Sequence, residues 1–206
     1  MFTGIVQGQA ILLKKTGNNQ QSTFTFKFPN NALQHIKEGA SIAINGTCLT
    51  VTSFDLDQNT ANFDAIEETL RLTNLINLKH NHLVNFERAA KFGDEIGGHL
   101  MSGHIHSLVE VMNIIKTDKN CCLFFKLNKE IQPYLLNKGF IGLNGCSLTI
   151  AEVTNEYFNV HLIPETLKTT TFGTLEIGQK VNLELDNQTQ AIVDTVEKIL
   201  AAKTSA

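Results

Sequence analysis

Apolar and polar residues alternate along several short stretches of the chain, which is the pattern of strands with one buried face. The clearest example is STFTFKF at residues 22–28, where the phenylalanines share one face. In SIAINGTCLTVTSF, two runs rich in strand-forming residues flank Asn45-Gly46, a pair that favours a tight hairpin because both residues tolerate positive φ. The pattern therefore predicts an all-β chain.

The chain also contains an internal repeat. NGTCLTV at residues 45–51 recurs as NGCSLTI at 144–150, and TGIV near the start recurs as SGHI. EETLRLTNL and VNFE recur as PETLKTTTF and VNLE, at an offset that a short loop deletion would produce. Four matches in the same order indicate a duplication. We predict two domains, residues 1–97 and 98–206, joined at the paired glycines of EIGGH.

Each copy is expected to form a closed or nearly closed antiparallel barrel of short strands joined by turns. Short helical turns are expected at residues 31–39 and 129–139. From Asn187 the chain reads NQTQAIVDTVEKILAAK, which places five apolar side chains on one helical face. This tail helix either folds back on the barrel or packs against copies of itself.

Composition and net charge indicate which kinds of binding partner to expect. Hydrophobic residues make up 42% of the chain and charged residues 18%, enough apolar material for ordinary cores. A net charge of −3 gives no field that would attract nucleic acid or an anionic membrane, so a small molecule or another protein is the expected partner. The start, MFTGIVQGQA, lacks a signal-peptide pattern. We expect a cytoplasmic protein with its four cysteines as free thiols.

Two cysteines near the hairpin turns call for different interpretations. Cys48 directly follows the first turn and is either a nucleophile or a small buried hydrophobe. Its counterpart 99 residues later is Ser147, whereas Cys146 aligns with Thr47 on the other side of the strand. We interpret Cys146 as structural, and Cys48 and Ser147 as equivalent positions in two related pockets.

Polar residues near these positions are further candidates for ligand contacts. Thr50 and Thr149 share a strand face with Cys48 and Ser147, so they either bind a flat heterocycle or simply favour a strand. Lys138 either donates to a ligand carbonyl or phosphate or is an ordinary helix-end cation. No phosphate-binding glycine loop is present in the sequence, and no nucleotide cofactor is expected.

Histidines and one carboxylate are candidates for proton transfer. His99, His104 and His106 raise the question of a metal site, but they lack an accompanying cluster of carboxylate or cysteine ligands, so no metal is expected. His104, within SGHI, is better suited to move a proton. Asp186 aligns with Ala89 of the first copy, so it either distinguishes the two pockets or caps the tail helix.

Several longer motifs occur together in one known family. They are MFTGIV, NGTCLTVT, ETLRLTNL, ERAAKFGDEIGGHLMSGHI, KGFIGLNGCSLT, HLIPETL and DNQTQAIVDTVE. Together they resemble the alpha-chain type of riboflavin synthase over essentially the whole chain. The resemblance implies two tandem six-stranded antiparallel Greek-key barrels that bind lumazine, a C-terminal α-helix from about residue 187, and a homotrimer.

The resemblance also implies the reaction. Two molecules of 6,7-dimethyl-8-ribityllumazine dismutate, and one gives a four-carbon unit to the other. The products are riboflavin and 5-amino-6-(D-ribitylamino)uracil, and neither a metal nor a redox cofactor takes part. The enzyme class is transferase, and the productive sites form between the N-terminal barrel of one subunit and the C-terminal barrel of its neighbour.

Site residues follow from the same resemblance. Those implied for the N-terminal pocket are Gly4, Ile5, Val6, Cys48, Leu49, Thr50, Asp64, Ala65, Ile66, Glu67, Glu68 and Thr69. Those implied for the C-terminal pocket are Gly103, His104, Ile105, Lys138, Ser147, Leu148, Thr149, Leu162, Ile163, Pro164, Glu165, Thr166 and Leu167. Those expected to matter for turnover are Phe2, Cys48, His104, Ser147, Thr149 and Asp186. The nucleophile at C7 is expected to be Cys48 or a water near it, with His104 and Asp186 moving protons.

An alternative function is a lumazine- or flavin-binding protein of the luminescence type, which shares the fold but does not turn its ligand over. That alternative predicts an eroded second pocket. Here the second copy keeps SGHI, KGF, SLT and LIPET, which favours the enzyme.

Overall fold

The computed structural model describes residues 1–118 and 120–204, and it contains two closed six-stranded antiparallel barrels and a C-terminal helix, as predicted. The first barrel consists of β1 (Gly8–Gly17), β2 (Gln21–Lys27), β3 (Ser41–Ile44), β4 (Thr47–Asp55), β5 (Thr60–Ile66) and β6 (Leu83–Arg88). The second consists of β7 (Ser107–Lys116), β8 (Cys121–Lys126), β9 (Phe140–Leu143), β10 (Cys146–Val153), β11 (Tyr157–Leu162) and β12 (Lys180–Leu185). The end of the predicted C-terminal domain, residues 205–206, lies outside the described residues.

The helical elements are short except at the C-terminus. They are α1 (Glu67–Leu72), α2 (Pro164–Thr169) and α3 (Asn187–Thr204), with 3₁₀ turns at Asn74–Asn77, Gln132–Tyr134 and Thr171–Thr174. The turn expected at residues 129–139 is therefore present as a 3₁₀ turn, whereas residues 31–39 form turns without a helix. The sequence pattern did not predict α1 or α2, because six residues are too few to display a helical period.

Both barrels have the same strand order. In the first, β1 is followed around the barrel by β2, β5, β4, β3 and β6, and the second repeats this order with β7 to β12. All pairings are antiparallel, and β2 pairs with β5 rather than with its sequence neighbour β3. This is the Greek-key arrangement that was expected, and closure leaves neither sheet with a free edge.

Alternating side chains fill each barrel. Phe24 and Phe26 of β2 are fully buried and pack near Phe63 of β5, with ring centroids 6.0 Å apart for Phe26 and Phe63. The second barrel holds Phe125 and Phe158 in the equivalent region, 5.3 Å apart. Each buried phenylalanine stabilises the fold by about 1.5 to 3 kcal/mol relative to its exposed state.

The two Asn-Gly turns meet back to back between the barrels. Asn45 and Gly46 have φ values of 45° and 80°, and Asn144 and Gly145 have φ values of 42° and 80°. A methyl group placed on Gly46 would lie 2.6 Å from the backbone nitrogen of Gly145, so the close approach requires glycine. The repeated turn therefore joins the two halves as well as making each hairpin.

Buried asparagines complete this junction. Asn182 Nδ2 donates to the carbonyl of Asn45 at 2.8 Å, and Asn85 Nδ2 donates to the carbonyl of Asn144 at 2.9 Å. Asn182 Oδ1 also accepts from the backbone N–H of Asn74 at 2.7 Å. Because these side chains are buried, their hydrogen bonds fix how the barrels dock.

The tail helix contacts its own barrel through polar side chains. The Tyr134 hydroxyl donates to Asp194 at 2.7 Å, and His106 Nε2 lies 3.0 Å from Gln190 Oε1. The apolar residues of the helix that remain exposed are Ile192, Val196, Ile199 and Leu200. Packing against the barrel therefore leaves most of the predicted apolar face uncovered.

Replacing Asn182 by alanine tests the junction. The variant leaves the buried carbonyl of Asn45 without its donor and the half-buried N–H of Asn74 without its acceptor. We expect the free energy of unfolding to fall by about 2 to 4 kcal/mol. Asn113→Ala is the control, because Asn113 is exposed and bonds only its neighbour's N–H among the contacts described. Equal denaturation curves for the two variants would contradict the role of the junction.

Candidate functional site

Equivalent strands present the central residues of two pockets. We call the first pocket Cys48, Thr50 and the turn at residues 64–69, and the second pocket Ser147, Thr149 and the turn at residues 162–167. Cys48 and Ser147 are half-buried, whereas Thr50 and Thr149 are exposed on the same face of β4 and β10. The strand positions agree with the alignment of the two copies.

A segment from the opposite copy contacts each strand. The N–H of Ser147 donates to the carbonyl of Gly4 at 2.8 Å, and the N–H of Cys48 donates to the carbonyl of Gly103 at 2.9 Å. The resemblance grouped Gly4, Ile5 and Val6 with Cys48, and Gly103 with Ser147. In the structure these segments are exchanged, so each pocket is built from both copies.

Side-chain packing agrees with the exchange. Val6 lies in the hydrophobic core of the second barrel. A methyl group on Gly4 would lie 2.8 Å from the backbone nitrogen of Ser147, and one on Gly103 would lie 2.5 Å from Cys48 Cβ. Both glycines have positive φ, 72° and 81°. Only glycine therefore fits without strain at the point where each segment crosses the strand of the other copy.

Two buried glutamates hold the crossing segments. Glu87 accepts from the N–H and hydroxyl of Thr3, at 2.6 and 2.8 Å, and from the N–H of Gly4 at 3.0 Å. Glu184 accepts in the same way from the N–H and hydroxyl of Ser102, at 2.6 and 2.8 Å, and from Gly103. Burial raises the pKa of both carboxyls, and these hydrogen bonds oppose the shift.

Neither glutamate is among the site residues that the sequence predicts. The available signal was the repeated VNFE and VNLE, in which the glutamate recurs at the end of the last strand of each barrel. A strand-end carboxylate that is only 3% exposed at Glu87 and 0% at Glu184 must have several donors nearby. That requirement becomes visible only once burial is known.

The two turns present exposed residues beside the strands. Ile66 and Ile163 are 63% and 64% exposed and come directly before α1 and α2. Asp64 accepts from the hydroxyl of Thr23 at 2.6 Å, and Glu68 pairs with Arg71 at 2.6 Å on the surface. Such an exposed ion pair adds little stability, so Glu68 remains available to a ligand.

The other predicted binding residues divide by exposure. Those with exposed side chains are Ile5, Glu67, His104, Lys138, Pro164 and Glu165. Those that are half-buried are Thr69, Thr166 and Leu167. Those with buried side chains are Val6, Leu49, Ala65, Ile105, Leu148 and Leu162. A ligand in the pockets would meet the buried group mainly through backbone atoms.

Phe2 occupies a supporting position. Its side chain is 1% exposed and packs in a small cluster with Ala43 and Met101, against which Cys48 also packs. Its backbone exchanges two hydrogen bonds with Met101, at 2.8 and 3.0 Å. Phe2 was predicted to matter for turnover, but its side chain has almost no surface with which to meet a ligand. Its connection to the pocket runs through the cluster against which Cys48 packs.

Ser147 has a histidine partner. His99 Nδ1 lies 2.6 Å from Ser147 Oγ, and the ring stacks on Phe140 with centroids 5.1 Å apart. His99 is 7% exposed, and its Nε2 has no hydrogen-bond partner among the described residues. From the sequence, His99 was a candidate only for a metal site, because its contact with Ser147 joins residues that are 48 positions apart.

Asp186 caps the tail helix. Its Oδ2 accepts from the N–H and hydroxyl of Thr189, at 3.0 and 2.7 Å, and its carbonyl accepts from the N–H of Gln190 at 2.9 Å. Burial alone would raise the pKa of Asp186, but the bonds from Thr189 and the charge of His99 lower it overall. The capping interpretation is thus realised, and the carboxylate also lies within electrostatic reach of His99.

Cys146 differs from Cys48. It is 7% exposed in the core of the second barrel, and burial, with a smaller effect from the charge of Glu87, raises the pKa of its thiol to about 12. Such a thiol stays protonated and unreactive at neutral pH. Cys48 is half-buried at the pocket and is a free thiol.

Both pockets are open surfaces on the single chain. A cavity of about 610 Å³ lies elsewhere, between the barrels, and its lining includes Asn45, Asn74 and Asn144 but neither Cys48 nor Ser147.

Across residues 1–118 and 120–204, no group of three or more His, Cys, Asp or Glu side chains is arranged to hold a metal ion. None of the helices within those ranges has the length and apolar character needed to cross a bilayer.

Comparison with known proteins adds independent findings. A family model described as the lumazine binding domain matches twice, at residues 3–89 and 102–186. Riboflavin synthase from Escherichia coli strain K12 is 51% identical over 100% of this chain and 96% of its own length. Riboflavin synthase from Chlamydia pneumoniae is 41% identical, with 98% of each chain covered.

Solved structures agree with this fold. LumP complexed with 6,7-dimethyl-8-(1'-D-ribityl) lumazine has a TM-score of 0.82 and 30% identity, covering 91% of this chain and 100% of LumP. LumP complexed with riboflavin gives the same TM-score at 31% identity. Because both copies match the domain model and the full-length relatives are riboflavin synthases, the chain belongs to the riboflavin synthase family.

Proposed function

We propose that this chain catalyses the dismutation of two 6,7-dimethyl-8-ribityllumazine molecules to riboflavin and 5-amino-6-(D-ribitylamino)uracil. The observation that carries the proposal is a pair of equivalent but unequal pockets in one chain, with Cys48 in one and Ser147 in the other. A reaction between two identical molecules needs two binding surfaces. One molecule must give the four-carbon unit and the other receive it, so the surfaces have to differ.

The chemistry needs no added cofactor. The lumazine ring spreads negative charge, so its C7 methyl group loses a proton readily, and C7 itself accepts a nucleophile. The two products together contain all the atoms of the two substrates, so no external oxidant or reductant takes part. We place the reaction in the cytoplasm, where the four free cysteines would remain reduced.

In this proposal, different pocket residues carry out nucleophilic addition, hydrogen bonding and proton transfer. Cys48, or a water held beside it, adds to C7 of the lumazine in the first pocket. Thr149 and Ser147 hydrogen-bond the heterocycle in the second pocket, where the exposed side chain of Thr149 is available. The N–H of Cys48 donates to the carbonyl of Gly103, which places the neighbouring His104 beside the first pocket. The side chain of His104 is exposed, and in this proposal it moves a proton at that pocket.

We also propose that the productive site lies between subunits of a homotrimer. Each pocket is open on the single chain, and Ile66 and Ile163 leave apolar surface exposed beside it. Stacking the first pocket of one subunit on the second pocket of a neighbour would cover that surface and exclude water. The uncovered apolar face of α3 supplies a contact for the assembly.

Binding without turnover is the second candidate function. It is favoured by the structural likeness to LumP, which was solved with the lumazine, with riboflavin and with flavin mononucleotide. Two observations favour the enzyme instead. The identity to riboflavin synthases reaches 51%, and the second pocket retains Ser147 together with a bonded histidine.

Turnover by the purified protein is the direct test. We expect riboflavin to form from the lumazine alone, without added metal or nucleotide, because the reaction is redox-balanced. The measurement is riboflavin absorbance at saturating substrate, with a chelator present to remove trace metals. Tight lumazine binding with no riboflavin formed by an assembled sample would support the second candidate and overturn the enzyme.

Replacing Cys48 and Cys146 by serine, one at a time, tests the role of the first pocket. We expect Cys48→Ser to lower kcat at least about tenfold, because a hydroxyl is the weaker nucleophile and the two pockets become alike. Cys146→Ser should leave kcat within about twofold, since its thiol is buried and protonated. Steady-state kinetics on both variants decide the matter, and equal losses would count against the assignment of Cys48.

A charge on the exposed face of α3 tests the assembly. Val196 is 49% exposed, and Val196→Glu should lower the trimer fraction and reduce turnover in proportion, because a buried carboxylate at a helix contact is costly. Lys198→Glu adds the same group on the opposite face and should leave both unchanged. Analytical ultracentrifugation gives the mass, and a fully active Val196→Glu monomer would contradict the shared site.

A further inference from the structure

Each buried glutamate binds the crossing segment that contacts the pocket strand of the other barrel. Glu184 lies on β12 of the second barrel, and its carboxylate accepts from the N–H of Gly103 at 3.1 Å. The carbonyl of the same Gly103 accepts from the N–H of Cys48 at 2.9 Å. One residue of backbone therefore joins a carboxylate of the second barrel to the first pocket.

The connection in the opposite direction is equally short. Glu87 lies on β6 of the first barrel, and its carboxylate accepts from the N–H of Gly4 at 3.0 Å. The carbonyl of Gly4 accepts from the N–H of Ser147 at 2.8 Å. Each connection thus ends at the pocket strand of the barrel that does not supply the carboxylate.

A hydroxyl group extends each connection along the crossing segment. The hydroxyl of Ser102 donates to Glu184 at 2.8 Å and accepts from the N–H of His104 at 3.3 Å. The hydroxyl of Thr3 donates to Glu87 at 2.8 Å and accepts from the N–H two residues later at 3.3 Å. Glu184 therefore fixes the backbone of His104 as well as the contact with Cys48.

The sheet offers a second relation, which stays within one barrel. Glu184 pairs with Gly142 on the neighbouring strand, and Gly142 pairs with Ser147 on the strand beyond it. Glu87 is two strands from Cys48 in the same way. The hydrogen bonds of both carboxylates go instead to the crossing segments, so the direct contact is with the opposite barrel.

Burial makes these contacts rigid. A buried carboxylate binds N–H groups strongly because little water competes for it, and the shortest of these bonds, from the N–H of Ser102 to Glu184, measures 2.6 Å. Pocket residues in turn act efficiently only when they are held close to the reacting geometry.

We propose that Glu184 and Glu87 are positioning residues that act across the barrels: Glu184 places Cys48 and His104 for the first pocket, and Glu87 places Ser147 for the second. The inference rests on the proposed function. Neither carboxylate touches a ligand or moves a proton. Each holds a crossing segment, and that segment holds the pocket strand.

NMR of the unliganded protein tests the direction of the effect. Nitrogen-15 labelling of cysteine and serine reports the amides of Cys48 and Ser147, whose N–H groups bond the crossing segments. A glutamine has one acceptor oxygen and turns an NH₂ donor toward the segment. We expect Glu184→Gln to move the signal of Cys48 more than that of Ser147, and Glu87→Gln to do the reverse.

The matched control is Glu110→Gln, which removes the same charge from an exposed position on β7 and should move neither signal. The relation within one barrel predicts the opposite pattern, in which Glu184→Gln moves mainly Ser147. That pattern, or no movement of either amide, would overturn the proposal. The NMR result needs no turnover, so it is independent of the proposed reaction.

Kinetics test whether the placement matters for catalysis. We expect Glu184→Gln to lower kcat at least about fivefold with KM within about threefold, because the pocket residues stay present but less well placed. Combined with Cys48→Ser, the loss should be smaller than the product of the single losses by at least about threefold. Glu87→Gln and Cys48→Ser should instead combine to the product within about twofold, since they act on different pockets.

A loss from Glu184→Gln that multiplies fully with the loss from Cys48→Ser would contradict the positioning role. Wild-type protein that forms no riboflavin would count against the proposed function instead, and the NMR pattern would still decide the positioning.

Ser102→Ala keeps the test available if the glutamine variants do not fold. It leaves the carboxylate of Glu184 with its two backbone donors and removes only the hydroxyl that connects it to His104. We expect the amide signals of His104 and Cys48 to move and that of Ser147 to stay. Movement of Ser147 alone, or of none of the three, would overturn the proposal.

Discussion

Two buried carboxylates determine how this molecule is assembled. Glu87 accepts hydrogen bonds from Thr3 and Gly4, and Glu184 accepts them from the equivalent segment before β7. A backbone carbonyl of each of these segments in turn accepts a hydrogen bond from the pocket strand of the other barrel. A buried carboxylate without donors would be costly, so these segments cannot leave without a large penalty. Each barrel closes by itself, but neither pocket does, since each takes a backbone contact from the other copy.

The two copies share the same contacts between the barrels but differ in their pocket residues. Between the barrels, the Asn-Gly turns and the buried asparagines keep nearly the same contacts in both directions. At the pockets, Cys48 carries a thiol where Ser147 carries a hydroxyl, and among the described residues Ser147 has a histidine partner. A symmetric frame with unequal pockets suits a reaction in which two identical molecules must take different roles.

Much of the fold could be predicted because it depends on local patterns. Alternation identifies strands such as β2, the Asn45-Gly46 pair identifies a hairpin, and one-sided apolar spacing identifies α3. The short helices α1 and α2 were missed, since six residues carry no resolvable period. The paired glycines of EIGGH were interpreted as a loose junction, whereas Gly98 is needed because the backbone lies against Ser147.

The sequence by itself determined the fold class, the duplication, the family and the alignment of Cys48 with Ser147, because all of these are relations along the chain. Only the tertiary structure decided which segment meets which pocket. TGIV and SGHI are separated by the same offset as the two strands, so a linear repeat is equally consistent with parallel and exchanged pairing. The exchange, the buried glutamates and the His99–Ser147 contact depend on how the two closed barrels dock, and no local pattern records that docking.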